Sequence, residues 1–566
     1  MVLRLLQKEI PSIHGAAFLI GAAGLLSRIL GVVRDRLLAA HFGASRALDV
    51  YYASFQIPDL LFTVFLIGAA SAAIIPLFLQ YDKENPQKAQ LLIGGLLTLF
   101  SLGAAVVALL AFFAAPLLVR FIAPGFSAAE HDVMQQMTRI MMLSPIFLGV
   151  SNILSSVMQA KRQFIAFALT GIVYNIGIIA GVVFLVPFFG FIGLAAGVVL
   201  GAFLHMTIQI PVLIKIRFWP LFRGWSQMPG LKSVFALSLP RVFALSINQL
   251  IVIVLVSLGS FLSAGSIAIF QFSNNLRYLP IGIIGVSYAI AVFPRLTSAA
   301  LKNSKEVFYE DISAMVETIL FWIIPLAFFT VVLRAYIVRA ALGAGYFNWD
   351  DTRLTAAVLA ILAIAMIGEC LTPLFIRAFY ALGNTKLPFL VSLMTASVVI
   401  SSAPFLLSLF VRHRLSGRFM AGLLKVGDLP GAPVLGLAMA LALGTLIESI
   451  LLGVGLTFHM KKFFHGSVKN GLFLAIFRII LAAGISSTFC YGVLNFVSAW
   501  VSDSHLWGVL VRVLVPFIVS ALLYCWMMYI MGSEEVRSVI ATFRQKLFRG
   551  AMPPTTLDQQ GDSSVR

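Results

Sequence analysis

Charge is what this chain has least of: Asp, Glu, Lys and Arg make up 11% of its 566 residues, against about 25% in an ordinary soluble domain. With 60% hydrophobic residues beside it, that shortage excludes a water-soluble fold and marks an all-α polytopic membrane protein. Cysteine is nearly missing. Cys370, Cys490 and Cys525 are scattered through apolar segments without metal-ligand spacing, so they read as packing residues. The chain has no G-x-x-x-x-G-K-[ST] loop and no soluble stretch large enough for a nucleotide-binding domain, so ATP hydrolysis is excluded. Neither H-E-x-x-H nor G-x-S-x-G occurs, which argues against an intramembrane protease or esterase. Nothing in the sequence calls for an enzyme or a cofactor.

The charge that remains is lopsided, with a formal net value of +18. In a soluble chain this would suggest nucleic acid. Here the basic residues fall in short gaps between apolar runs, where they orient helices and meet anionic membrane lipids, so nucleic acid is not an expected partner. At about 20 apolar residues per crossing, the chain divides into fourteen predicted spans, the first near 15–40 and the last near 506–531. The N-terminal stretch carries Arg4 and Lys8 ahead of a run too long for a signal peptide, so the first helix is expected to be retained. Alternate gaps collect Lys83 and Lys88, Lys161 and Arg162, Lys215 to Lys232, Lys302 and Lys305, Lys386, and Lys461 to Lys469. That side, which also holds both termini, reads as cytoplasmic. One basic gap, 412–425, falls on the opposite side: either a span is miscounted there or an external loop meets anionic headgroups.

The second predicted span (Pro58 to Pro76) and the eighth (Pro280 to Pro294) both place a proline mid-helix, small residues after it and a second proline at the end. Six spans separate them. Parallel repeats about an axis along the membrane normal fit this spacing, with a site at their interface. The expected organisation is an N-lobe over 1–230, a C-lobe over 231–465, two extra helices over 466–532 and an amphipathic cytoplasmic tail over 533–566. In that tail Val536, Val539, Ile540, Phe543 and Leu547 oppose Arg537, Arg544 and Lys546 at helical spacing.

Arg28, Arg34, Asp35 and Arg36 interrupt the first apolar run. A charge at mid-bilayer costs roughly 2.5–3.5 kcal/mol on insertion scales, so these residues are expected to face a polar cavity between helices. Arg28 and Asp35 are seven apart and share a helix face. Three arginines against one aspartate predict a cationic cluster; the plainer alternative is a self-neutralising Arg–Asp pair with Arg36 reaching a surface. The second span adds Asp49, Tyr52, Gln56, Asp59 and Thr63 at spacings of three and four, a polar stripe. The eighth adds Gln271, Asn274, Asn275 and Tyr278 with Arg277 at the flank, and the seventh adds Arg241 and Asn248 with Gln249 beside them. The candidate substrate-binding set is therefore Arg28, Arg34, Asp35, Asp49, Gln56, Asp59, Arg241, Asn248, Gln271, Asn274, Asn275 and Arg277. Glu369 and Glu448 read as interhelical partners or ion-coupling carboxylates.

Ser27-Arg-Ile-Leu-Gly-Val-Val-Arg-Asp35, Phe42-Gly-Ala with Asp49, Ile57-Pro-Asp-Leu-Leu61, Gly68-Ala, Pro76 and Ala123-Pro-Gly-Phe126 resemble the MurJ (MviN) lipid II flippases of the MOP exporter superfamily. The region around Asn175, Asn248-Gln249 and Phe379-Tyr380 with Lys386 and Pro388 supports the likeness, which fades after about residue 460. The resemblance implies two six-helix lobes around a central cavity, with two further helices. It implies transfer of an undecaprenyl-pyrophosphate-linked disaccharide pentapeptide across the bacterial inner membrane by alternating access. It matches the family's cavity arginines to Arg28 and Arg34 and its acidic residues to Asp35 and Asp49, and it brings cell-wall synthesis or division proteins into view as partners. Coupling to membrane potential, sodium or protons stays open. The chain departs from the family at Phe62-Thr63, where a basic pair stands, at Ile67, where an acid stands, and at Asn275, where an arginine stands. Either Arg277 supplies that last charge or the cargo is another polyprenyl-linked oligosaccharide. A non-transporting cell-wall scaffold is the remaining alternative.

Overall fold

A chain this apolar must satisfy its backbone groups inside lipid. The structure, a computed structural model that describes residues 13–64, 71–222, 246–412, 415–463 and 471–537, does so with helices, and no strand occurs among the described residues. The first half supplies α1 (Ile13–Phe42), α2 (Arg46–Ser54), α3 (Gln56–Phe62), α4 (Ser71–Glu84), α5 (Pro86–Ile122), α6 (Ala128–Met141), α7 (Leu143–Ala160), α8 (Phe164–Ala180), α9 (Val186–Phe189), α10 (Ile192–Thr207) and α11 (Ile210–Lys215). The second half supplies α12 (Ser246–Ser260), α13 (Ser266–Ile283), α14 (Gly285–Leu301), α15 (Lys305–Leu342), α16 (Trp349–Ala381), α17 (Lys386–Val411), α18 (Leu415–Leu423), α19 (Val434–Phe463), α20 (Gly471–Trp500) and α21 (Leu506–Ile530). Eleven stretches, some running through a short joint, are long and apolar enough to cross a bilayer. With α1, the segmented second span (α2 to α4) and α12, the architecture reaches the fourteen spans that hydropathy predicts.

The joints have local causes. Pro280 removes a backbone donor inside α13, and the ladder breaks at Ile284 before resuming as α14. The second span breaks at Phe55, with Pro58 in the turn that follows. Capping boxes start the helices that enter from one end of the bundle: Ser127 with Glu130 at α6 and Asn348 with Asp351 at α16. Small residues let backbones touch where lipid provides no hydrophobic drive. A Cβ on Gly177 would sit 2.3 Å from the Gly201 Cα, so α8 and α10 meet at van der Waals distance.

The two halves join chiefly at the end marked by Phe42, Gly265 and Tyr346. Arg36 donates to the carbonyls of Ala340 (2.7 Å) and Gly343 (3.2 Å), the free C-terminal carbonyls of α15. The Tyr346 amide donates to the Ala40 carbonyl, Ser260 Oγ accepts from the Gly125 amide, and Asp351 accepts from the Ala44 amide. An apolar cluster containing Tyr51, Met137, Ile253 and Phe272 spans the same junction. At the opposite end the ion pairs Lys161–Asp82 and Arg295–Asp311, each 2.6 Å, stay within one half. The bundle is closed at the Phe42 end. Segment 412–425 is no missed span: α18 lies there as a short helix after α17, and the next crossing begins at Val434. The predicted amphipathic tail beyond Arg537 lies outside the described residues.

Candidate functional site

Midway along α1 the charged residues turn toward α13. Arg28 Nη1 donates to the Tyr278 carbonyl (3.0 Å) and the Leu279 carbonyl (3.2 Å). These are C-terminal carbonyls of a helix that Pro280 and the Ile284 break have freed from their usual partners, where a cation is favoured. Gly282 makes room for it. A Cβ at that position would fall 1.9 Å from Arg28 Nη2, so any larger residue evicts the guanidinium from its seat.

Two turns on, Arg34 grips Asp35 Oδ1 through Nε (3.0 Å) and Nη2 (2.8 Å), and its Nη1 reaches Asn175 Oδ1 on α8 at 3.3 Å. Asn175 in turn donates to Ser27, Gly171 and so back to α1. The second oxygen of Asp35 accepts from Asn275 Nδ2 at 2.9 Å, and Gln271 donates to Asn275 Oδ1 at 3.2 Å. A chain of polar contacts therefore runs from α8 through α1 to α13, which is to say from one half to the other. Tyr174 lies within electrostatic reach of both Arg34 and Asp59. Asp59 and Asn248 are exposed although each sits within a spanning segment, so open space enters the bundle here. Gln56 joins this face by accepting from Gln249 Nε2 at 3.3 Å.

Two of the candidates stand elsewhere. Asp49 is fully buried at the closed end, where Oδ2 accepts from the Gly265 amide (2.7 Å) and Oδ1 from the Ala268 amide (2.9 Å). It caps the N-terminus of α13 from another helix. Gly265 itself has φ +86° and a Cβ there would meet the Ala44 carbonyl oxygen at 2.0 Å, so only glycine fits the approach. Arg46 extends the cluster, 3.4 Å from Asp49 and 3.3 Å from Glu130, and donates to the Leu262 carbonyl.

Arg277 is the other. It is 2% exposed, donates to Asn274 Oδ1 at 2.8 Å and pairs with Glu369 on α16 at 2.8 Å. It points away from Asn275, into helix packing. Glu448 accepts from Ser392 at 2.8 Å. Arg241 and Ile67 lie outside the described residues. The expected surplus of positive charge is also smaller than three arginines against one aspartate suggests, because Arg36 serves the α15 terminus and Asp59 joins the cleft. Asn175, absent from the candidate set, is central to it; its signal was a single amide in the apolar run from Ile172 to Ile179.

The arrangement offers two guanidinium forks, one seated on neutral carbonyls and one on a single carboxylate, both at the seam between halves. Such forks suit a phosphate or pyrophosphate, which offers more charge than the carbonyls it would displace. A model of the family described as lipid II flippase MurJ matches residues 38–511. That match begins after the first-helix arginines. A probable lipid II flippase MurJ of Buchnera aphidicola is 27% identical over 515 residues, covering 90% of this chain and 95% of its own. A probable lipid II flippase MurJ of Thermotoga maritima is 30% identical over 390 residues, covering 68% and 77%. A solved structure described as lipid II flippase MurJ in an inward closed conformation superposes with a TM-score of 0.70 at 23% identity, covering 91% of this chain and 99% of that one; it shares the fold.

Proposed function

Since the chain belongs to the lipid II flippase MurJ family, we propose that it moves lipid II across the bacterial inner membrane through the cleft between α1 and α13. The observation that carries the reading is the pair of arginine forks, Arg28 and Arg34, held at the seam by partners that an anionic headgroup can replace. We take the Phe42 end as periplasmic, because Lys83, Lys88, Lys161, Lys302, Lys305 and Lys386 collect at the other. The cleft then opens toward the cytoplasm, the side on which the precursor is made.

In the mechanism that follows, the polyprenyl tail stays in lipid while the headgroup enters the cleft. A pyrophosphate oxygen takes Arg28 from the Tyr278 and Leu279 carbonyls. Arg34 shares its fork between Asp35 and the second phosphate, with Asn175 and Asn275 holding both side chains in place. Because Arg28 ties α1 to α13, its exchange loosens the seam at the moment the site fills. Outward transfer of a negative head is favoured by an inside-negative potential, by about 2.3 kcal/mol per charge per 100 mV. No covalent bond changes.

The test is growth of a bacterium depleted of its own flippase. Expression of this chain is expected to restore growth, whereas failure despite good membrane expression would reassign the cargo to another polyprenyl glycan. The Arg277–Glu369 pair makes a separate prediction. Arg277→Ala leaves Glu369 buried and unpaired, at a cost of about 3–5 kcal/mol, so the variant is expected to lose thermal stability. Arg277→Met with Glu369→Leu should regain both stability and transport. A double variant that is stable yet inactive would show that Arg277 contacts the cargo.

A further inference from the structure

The basic segment after α17 is a built surface with one face uncovered. In α18, Gly417 and Ala421 are buried, and a Cβ on Gly417 would lie 2.3 Å from the Leu409 carbonyl oxygen, so the helix lies flush against the end of α17. The other side presents Leu415, Phe419 and Leu423, exposed by 86%, 68% and 62%. Their spacing of four aligns them along one edge. Arg412, Arg418 and Lys425 are exposed around that edge. The segment is also pinned: Arg353 donates to both oxygens of Asp428, at 2.8 and 2.6 Å, and to the Lys425 carbonyl. The nearby carboxylate is thus committed to Arg353, and the cations around α18 are left to face outward.

We infer that α18 is an interfacial helix that docks on anionic phospholipid, with Leu415, Phe419 and Leu423 entering the acyl boundary and Arg412, Arg418 and Lys425 meeting headgroup phosphates. Its level supports this, because α18 begins four residues after a membrane span ends at Val411. So does its composition, since an apolar edge bordered by Lys and Arg is what the water–lipid boundary selects. Basic residues are normally concentrated at the opposite end of the bundle, so a cluster here calls for a local anionic partner. The helix would brace the ends of α17 and α19 against the leaflet that receives the cargo. The inference does not depend on what that cargo is.

The experiment is amide hydrogen exchange on the full chain in lipid nanodiscs, comparing phosphatidylcholine alone with a mixture containing phosphatidylglycerol. Exchange across 415–424 is expected to slow in the anionic discs, and each cation removed should return on the order of fivefold of that slowing. Arg412→Gln, Arg418→Gln and Lys425→Gln together should erase the difference between discs, and Leu415→Ser with Phe419→Ser should make exchange fast in both. Exchange across α19 serves as the folding control, since it should not change in any variant. Equal rates in the two compositions, whether fast or slow, would overturn the inference. Protection in anionic discs that survives the triple substitution would overturn it as well, and would point to a protein partner.

Discussion

Arg28→Ala is expected to abolish transport while leaving the melting temperature unchanged. The partners this arginine gives up are the Tyr278 and Leu279 carbonyls, neutral groups beside an open cleft, which water can satisfy when the guanidinium leaves. Little of the fold is at stake. The cargo, by contrast, loses a charge-assisted contact of about 1.5–3 kcal/mol, roughly ten- to 150-fold in affinity, and the seam loses its exchangeable tie. Arg28→Lys keeps the charge but not the fork, so it should bind lipid II with intermediate affinity. Arg34→Ala is expected to be equally inactive, but for a second reason it should also be less stable: Asp35 is 4% exposed and would keep only Asn275 as a partner. Arg34→Ala with Asp35→Asn should recover stability and stay inactive. Binding of lipid II to purified protein, read beside thermal unfolding, separates these cases. Undiminished binding by Arg28→Ala would remove that residue from the site.

Asp49→Ala should open the Phe42 end. In the closed state this carboxylate is the partner of the Gly265 and Ala268 amides. Its removal leaves both buried, at about 1–3 kcal/mol each. When the end opens, water reaches those amides and the cost disappears. The penalty therefore falls on one conformation, and a shift of about 2–3 kcal/mol changes the ratio of the two states by roughly 30- to 150-fold. Spin labels at Ser45 and Ser263, one on each half, should report a population at longer distance in the variant. A distance distribution identical to that of the parent chain would show that the cap does not hold this gate. Asp49→Asn, which can still accept one hydrogen bond, should fall between the two.

The sequence made some of this visible and concealed the rest for physical reasons. Spans are legible because lipid forces the backbone into helices of a fixed minimum length, and Arg28 and Arg34 stood out because charge at that depth needs compensation. The role of Asp49 was not legible. It lies in helical register with Gln56 and Asp59, yet the break at Phe55 ends the ladder between them, and the amides it caps are 216 and 219 residues away. Arg277 misled for a similar reason, since its neutralising partner Glu369 is on another helix. Gly282 gave no signal in sequence at all; only the position of Arg28 above it shows why a side chain there would matter.

The most direct measurement is the amount of lipid II accessible at the outer leaflet of flippase-depleted cells that express this chain, compared with cells that express Arg28→Ala at equal level. Restored outer-leaflet lipid II with the parent chain and none above background with the variant is the predicted result. Restoration by both would show that the arginine cleft is not the route, and restoration by neither, in cells whose membranes contain the folded protein, would show that lipid II is not the cargo.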